Sequence, residues 1–196
     1  MPIVHLEAPE FIKKVMAGER DFTGIRLTDV DVAGDYFTFL ELSEYLQKQD
    51  LKKEPIILND AQLEHIRAGQ LWMPYLKAQR CSFKSAYFLG ANFQYSNFSR
   101  SSFFNTDLQN ADCQFCDFSS AYFKSTTLNK TKLKQANFKF SDLTGVKDLN
   151  EAIDLSLALF SRTTVGPVEE KAITAAIQAN PQTANTDLAQ LFRKRG

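Results

Sequence analysis

From Phe83 to Leu143 every fifth residue is apolar: Phe83, Phe88, Phe93, Phe98, Phe103, Leu108, Cys113, Phe118, Phe123, Leu128, Leu133, Phe138 and Leu143. Two residues before each stands a small one: Cys81, Ala86, Ala91, Ser96, Ser101, Thr106, Ala111, Cys116, Ala121, Thr126, Thr131, Ala136 and Ser141. An amphipathic helix repeats about every 3.6 residues and a half-buried strand about every 2, so neither sustains a period of five. Such a lattice predicts a solenoid, in which each short repeat buries its apolar residue only by stacking on its neighbours.

The same spacing recurs at Phe22, Leu27, Val32, Phe37 and Leu42, one residue out of register with the main series. Residues 43–55 are polar and charged and read as an excursion, with room for a helical turn. Between 56 and 80 the main register continues backward through Leu58, Leu63, Ala68, Met73 and Ala78, but Ile56, Ile66, Leu71 and Leu76 occupy small positions. Two readings fit: irregular coils, which we favour, or a short helix capped by Asn59 or Asp60 with Leu63, Ile66 and Leu71 on one face. After Gly145 the phase shifts again, and the pairs Ile153/Leu155, Ala158/Phe160 and Thr163/Val165 predict one last, irregular coil.

An open solenoid ends in two rows of unpaired backbone groups, and both termini carry segments suited to cover them. Residues 8–17 predict a helix with Pro9 near its start, Phe11, Ile12, Val15 and Met16 on one face, and Gly18 as its stop. Residues 168–179 predict another, with Ala172, Ile173, Ala176 and Ile177 as an apolar stripe and Pro181 as its end. A last helix is expected over 187–194, with Thr186 as N-cap and Arg193, Lys194 and Arg195 at its C-terminal end. The expected division is a helical end over 1–19, a coil region over 20–165 with an excursion at about 43–55, and a helical segment over 166–196.

Ala91-Asn92-Phe93, Ala111-Asp112-Cys113 and Ala136-Asn137-Phe138 place Asn or Asp between the small residue and the centre. This resembles the pentapeptide repeat family, whose motif adds two free positions. The resemblance implies an all-β solenoid, a right-handed quadrilateral β-helix with α-helical N- and C-terminal caps, in which four pentapeptides make one square coil. Residues twenty apart then stack at about 4.8 Å per coil, giving one interior column of Phe83, Phe103, Phe123 and Leu143 and another of Phe98, Phe118 and Phe138. The small residues also point inward, where a bulky side chain would collide with the centre residue. Ser and Thr fit there because a hydroxyl can bond a nearby backbone carbonyl. The run Gly18-Glu19-Arg20-Asp21-Phe22 resembles the start of the first coil in many members, and the whole layout looks like that of many cyanobacterial ones.

Composition narrows the functional classes. The 196 residues carry 23 Lys or Arg and 23 Asp or Glu, so formal net charge is zero. No run approaches the ~20 apolar residues of a membrane helix, so no membrane association is expected. Residues 1–7 lack the basic and apolar regions of a signal peptide. Three cysteines, an odd number, argue against a disulfide framework and for a reducing compartment. The cytoplasm is the expected location.

Candidate chemistry is sparse. Cys113 and Cys116 match the C-x-x-C spacing of a redox or zinc site, but the lattice turns both inward, where a free thiol acts as a small hydrophobe. His65 belongs to no recognisable motif with an acid or nucleophile partner and reads as a surface or loop residue. No phosphate loop or hydrolase signature is present. The expectation is a protein that is not an enzyme, with no catalytic residue, cofactor or metal.

What signal remains lies on the outward positions. Tyr95 and Phe115 stand two after their centres and twenty apart, and should stack on one face. Phe104, Tyr122 and Phe140 also point outward. Either these rings form a partner surface, or they cover corners and pack under the terminal segments. Lys124, Lys130, Lys132, Lys134 and Lys139 fall in one coil and should ring it as a basic surface.

The favoured function is a non-catalytic scaffold for an unidentified protein partner, as a monomer or dimer. Two alternatives stand behind it. One branch of the resembled family mimics DNA in shape and charge and binds type II topoisomerases. That mimicry needs an acidic surface, and residues 81–145 carry seven Lys or Arg against four Asp. The other alternative is nucleic-acid binding through the lysine ring, which the nearby Asp107, Asp112 and Asp117 disfavour.

Overall fold

The computed structural model describes residues 3–27, 36–183 and 186–193. From Ile57 to Lys147 the backbone is joined by parallel bridges between residues twenty apart, so four pentapeptides make one coil. The first side of the coil runs through Asp21, Ile57, Lys77, Asn97, Asp117, Asn137 and Leu159. The second runs through His5, Arg26, Gln62, Ser82, Ser102, Tyr122, Asp142 and Thr164. Arg67, Tyr87, Asp107, Thr127 and Lys147 mark the third, and Trp72, Asn92, Asp112, Lys132 and Ile153 the fourth. Ser102 shows the pattern: its N–H donates to Cys81 O at 2.9 Å, and its carbonyl accepts from Phe83 N at 2.8 Å. A turn follows so soon that each side offers one residue for pairing. Among the described residues, the only named strands are therefore Thr163–Thr164 (β1) and Phe192–Arg193 (β2), which pair in parallel.

The turns explain the fifth position. Ala111 N–H bonds Leu108 O at 3.0 Å, and Asn110 between them has φ 57°. The same left-handed backbone recurs at every fifth residue from Asp60 to Gly145. Side chains crowd the carbonyl there, least for Gly, Asn and Asp. Val, Ile, Thr and Pro occupy none of these positions.

The two predicted phenylalanine columns are two of the four that fill the interior, beside one of Phe88, Leu108 and Leu128 and one of Phe93, Cys113 and Leu133. Phe83, Phe103 and Phe123 stack at 5.0 Å, while Phe98, Phe118 and Phe138 stack at 5.4 and 5.3 Å. Edge contacts such as Phe98–Phe103 at 5.5 Å join the columns. Buried hydroxyls at small positions bond the centre carbonyl one coil back: Ser101 Oγ donates to Ala78 O, Thr106 Oγ1 to Phe83 O and Thr131 Oγ1 to Leu108 O, at 2.7–2.8 Å. Cys81 and Cys116 use the same geometry, with their thiols 2.8 and 2.9 Å from Leu58 O and Phe93 O. Ala111 is fully buried, whereas Gln109 faces outward. Ala111→Leu should therefore destabilise by about 1–3 kcal/mol through overpacking, and Gln109→Leu should change little. Equal shifts in thermal unfolding would contradict the inward assignment.

Residues 56–80 are regular coils, each with the same bridge-and-turn pattern, and the short-helix alternative is not formed. Ile66, Leu71 and Leu76 fit at small positions because the rows of large rings begin only at Phe83. The early series is corrected. Phe22 and Leu27 are buried coil residues, but Phe37 and Leu42 belong to a helix, Tyr36–Gln47. Val32 lies outside the described residues. With Ala8–Met16 as α1, this helix is α2 and Pro167–Ala179 is α3. Asp21 bridges Ile57 and Arg26 bridges Gln62, thirty-six residues on. That excess over one coil is three pentapeptides plus one residue, which produces the shift of register.

Both ends use side chains where a further coil would supply backbone. Asn92 and Asp112 N–H groups bond carbonyls of the preceding coil, but the equivalent Trp72 N–H bonds Ser43 Oγ of α2 at 3.0 Å. At the other end Ser85, Asn105 and Ser125 N–H groups bond the following coil, whereas Gly145 N–H bonds Glu169 Oε1 of α3 at 3.0 Å. The other oxygen of Glu169 takes Gly166 N–H at 2.9 Å, and the side chain is buried. Glu169→Ala would leave both donors without these acceptors and should lower stability by about 1–3 kcal/mol, read by urea unfolding.

In α1 Phe11, Ile12 and Val15 are buried and Phe11 meets the Phe22 ring at 4.8 Å, but Met16 is exposed. In α3 Ile173 and Ile177 are buried against the turns Leu149–Glu151 and Leu155–Leu157, with Ala172 and Ala176 half-buried. Those turns insert single residues into the last coil, so Lys132 pairs Ile153 and Asn137 pairs Leu159. Ala158, Phe160, Thr163 and Val165 are buried as expected, but Ile153 is an exposed bridge residue. The helix expected over 187–194 is also corrected. Asp187 caps a 3-10 turn, Leu188–Gln190, by accepting from Ala189 N, and the chain then pairs as β2 on the last coil. Lys194 and Arg195 lie outside the described residues.

Candidate functional site

Three aromatic rings stack along the corner between the fourth and first sides. Tyr75 and Tyr95 lie 5.0 Å apart and 8° from parallel, and Tyr95 and Phe115 lie 4.7 Å apart and 5° from parallel. All three are corner residues with φ of 60–62°. Tyr95 is 47% exposed and its neighbours are half-buried. On one flank is a groove of 480 Å³ bounded by Lys52, Pro55, Lys77, Gln79 and Asn97. On the other is one of 410 Å³ bounded by Gln49, Asp50, Trp72, Pro74 and Gln94. The segment that follows α2 forms the upper wall of both.

The other outward aromatics lie elsewhere. Phe104 and Tyr122 are on the second side, in neighbouring coils. Phe140 stands at the corner between the first and second sides, with the Arg193 guanidinium 5.6 Å from its ring centre. The five aromatics singled out by sequence thus do not make one patch. Tyr95 and Phe115 belong to a ladder whose third member, Tyr75, sequence reasoning missed. Its signal was its place two after Met73 and twenty before Tyr95.

The lysines ring the coil. Lys124 is on the second side, Lys130 at the corner between third and fourth, Lys132 and Lys134 on the fourth, and Lys139 on the first. Lys132 reaches Asp112 at 3.4 Å. Burial pushes the Asp112 carboxyl up, but hydrogen bonds from Gln94 and Gln114, with the charge of Lys132, hold it below the usual range.

Cys113 and Cys116 are buried, as is Cys81, and His65 is an exposed corner residue. Burial pushes the Cys81 thiol up to about 12, and contact with Cys116 together with burial pushes Cys113 up as well. A thiol whose folded pKa is raised contributes fully below its unfolded value, near 8.5, and loses that contribution as pH rises toward the folded value. Native labelling by maleimide should therefore be slow at all three cysteines at neutral pH, and stability should fall from about pH 9 upward. Rapid native labelling would overturn the core placement. The interior cavity among Phe11, Leu27, Leu63, Leu71, Met73 and Phe93 holds 40 Å³, far below the ~300–1,000 Å³ of small-molecule sites.

Eight copies of the pentapeptide-repeat family model match this sequence, over 81–112 and 116–147. Residues 81–112 and 116–147 of this chain are pentapeptide repeats. The pentapeptide repeats continue in the structure beyond the matched residues, back to Ile57 and forward into the last coil. No curated protein is matched by the sequence. Among solved structures, a pentapeptide repeat protein of the Arabidopsis thaliana thylakoid lumen shares 21% identity over 59% of this chain and 76% of its own, with a TM-score of 0.47. Rfr23 from the cyanobacterium Cyanothece 51142 shares 14% over 58% of this chain and 90% of its own, with a TM-score of 0.42. QnrB1, a plasmid-mediated fluoroquinolone resistance protein, shares 14% over 80% of each chain, with a TM-score of 0.42.

Proposed function

We propose that this chain is a non-catalytic scaffold, a right-handed quadrilateral β-helix with helical caps, that receives a protein partner along the Tyr75–Tyr95–Phe115 corner. The observation that carries this reading is the placement of three large rings on left-handed backbone. Non-Gly residues held there cost about 1–3 kcal/mol each, and two ring stacks return about 0.5–1.5 kcal/mol apiece. Gly, Asn or Asp would hold the same turns more cheaply, so the fold alone gives little reason for these rings. A partner that covers their edges does. Three buried free thiols support a reducing compartment such as the cytoplasm.

The test is affinity capture from native cell extract with the full chain and with a Tyr95→Ser/Phe115→Ser variant. Ser85, Ser120 and Ser125 already occupy corner positions, so the variant keeps the turn chemistry. A protein retained by the native chain and lost by the variant is the expected result. The same proteins retained by both would remove this corner from the reading.

A further inference from the structure

The first side of the coil is framed by two unlike edges. One carries Tyr75, Tyr95 and Phe115, and the other carries Arg80, Arg100 and Phe140. The corners of the opposite side are mostly Ser, Gly and Asn, including Ser85, Gly90, Asn105, Asn110 and Ser125, as left-handed backbone favours. Bulk is thus concentrated on the two edges of one side, although its backbone penalises bulk. Between them the surface is chiefly uncharged and polar: Asn59, Gln79, Asn97, Ser99, Ser119 and Asn137.

The charge on this side is unbalanced. Asp60 is held by Arg80 through contacts of 2.6 and 2.7 Å. Asp117 Oδ1 accepts from Ser119 N at 3.0 Å and Asn137 Nδ2 at 2.9 Å. Arg100 is exposed and its guanidinium has no hydrogen bond or ion pair among the described residues. A groove of 580 Å³ runs past it, bounded by Arg80, Ser99, Ser119, Lys139 and Phe140. Hydroxyls and cations line it, which is the chemistry that receives carboxylates.

We propose that the partner element seated on this side is an acidic amphipathic α-helix, its apolar stripe along the Tyr75–Tyr95–Phe115 edge and its carboxylates along the Arg80–Arg100 edge. The inference rests on the contact surface proposed above and adds the partner's chemistry. The dimensions fit. Three extended residues span about 10 Å between corners, close to the ~10–12 Å diameter of a helix. The three coil steps from Arg80 to Phe140 rise about 14 Å, near the ~16 Å of a three-turn helix.

The test is selection of a phage-displayed library of randomised helical peptides on the full native chain. The expected peptides are net negative, with apolar residues at i, i+3 and i+4. Their affinity should fall about tenfold or more for Tyr95→Ser and for Arg100→Ser, as expected for loss of a central contact. It should be unchanged for Lys147→Glu on the opposite side. Basic or neutral peptides, or peptides indifferent to Arg100→Ser, would overturn the inference. So would a short DNA duplex bound by the native chain and released by Arg100→Ser with no acidic peptide selected. The two readings fail separately. If the Tyr95→Ser/Phe115→Ser variant loses its captured partner while basic peptides are selected, the surface stands and the acidic helix falls. If capture is unaffected, the surface itself falls.

Discussion

Phe103→Ala should lower stability by about 3–5 kcal/mol, the largest effect expected of a single substitution here. Its ring is 1% exposed and lies between Phe83 and Phe123, each 5.0 Å away. Phe98 and Phe118 meet it edge-on at 5.5 and 5.6 Å. The loss therefore combines a buried side chain, a cavity and four ring contacts, and the coils above and below limit how far the site can collapse. Against a typical ~5–15 kcal/mol of total stability this is a large share. Urea unfolding of the full chain measures it, and a loss below about 1 kcal/mol would mean that the column is not tightly packed.

Removing residues 166–196 should leave the coils formed but make the molecule associate. The deletion takes away α3, the Glu169 carboxylate on Gly145 N–H, and β2, which pairs with β1. It uncovers the last coil, including Leu149, Leu155 and Phe160, which are buried in the full chain. Exposed apolar surface beside unpaired strand groups templates pairing with another copy. Circular dichroism should keep its β signal while light scattering grows with concentration. A truncated chain that stays monomeric with unchanged unfolding would show that the segment does not protect this end.

The coil was legible because its signal is geometric: one centre and one small residue in every five cannot be satisfied by a helix or an ordinary strand. What the sequence concealed follows from the same lattice. Phe37 and Leu42 keep the spacing of five, yet Leu42 and Leu46 are also one helical step apart, and both are fully buried from α2. Short runs cannot separate those periods. The left-handed corners carried a legible mark, the absence of Val, Ile, Thr and Pro, but it emerges only when all the coils are compared. Tyr75 was passed over because Ile66, Leu71 and Leu76 made its coil look irregular. The β2 pairing left no periodic trace, since two residues suffice to form it. Of the candidate surfaces, the Tyr95–Phe115 stack was readable from the repeat alone. The groove beside Arg100 was not, because it depends on which charges are already engaged.

The ladder on the second side has a bearing on how the chain folds. It runs without a break from His5 through Arg26 and Gln62 to Thr164, and β2 adds Arg193 beyond it. Nearly every step joins residues about one coil apart, so contacts are local along the chain and each coil can form on the one before it. Beside the 29-residue step from Thr164 to Arg193, the longest is the 36-residue step from Arg26 to Gln62. It must close a longer loop through α2, at an added entropic cost of roughly 0.5 kcal/mol. Growth should therefore start in the phenylalanine-rich middle and spread outward, with the N-terminal coil joining late. Amide exchange should show the reverse order of opening, with Arg26 unprotected before Ser102.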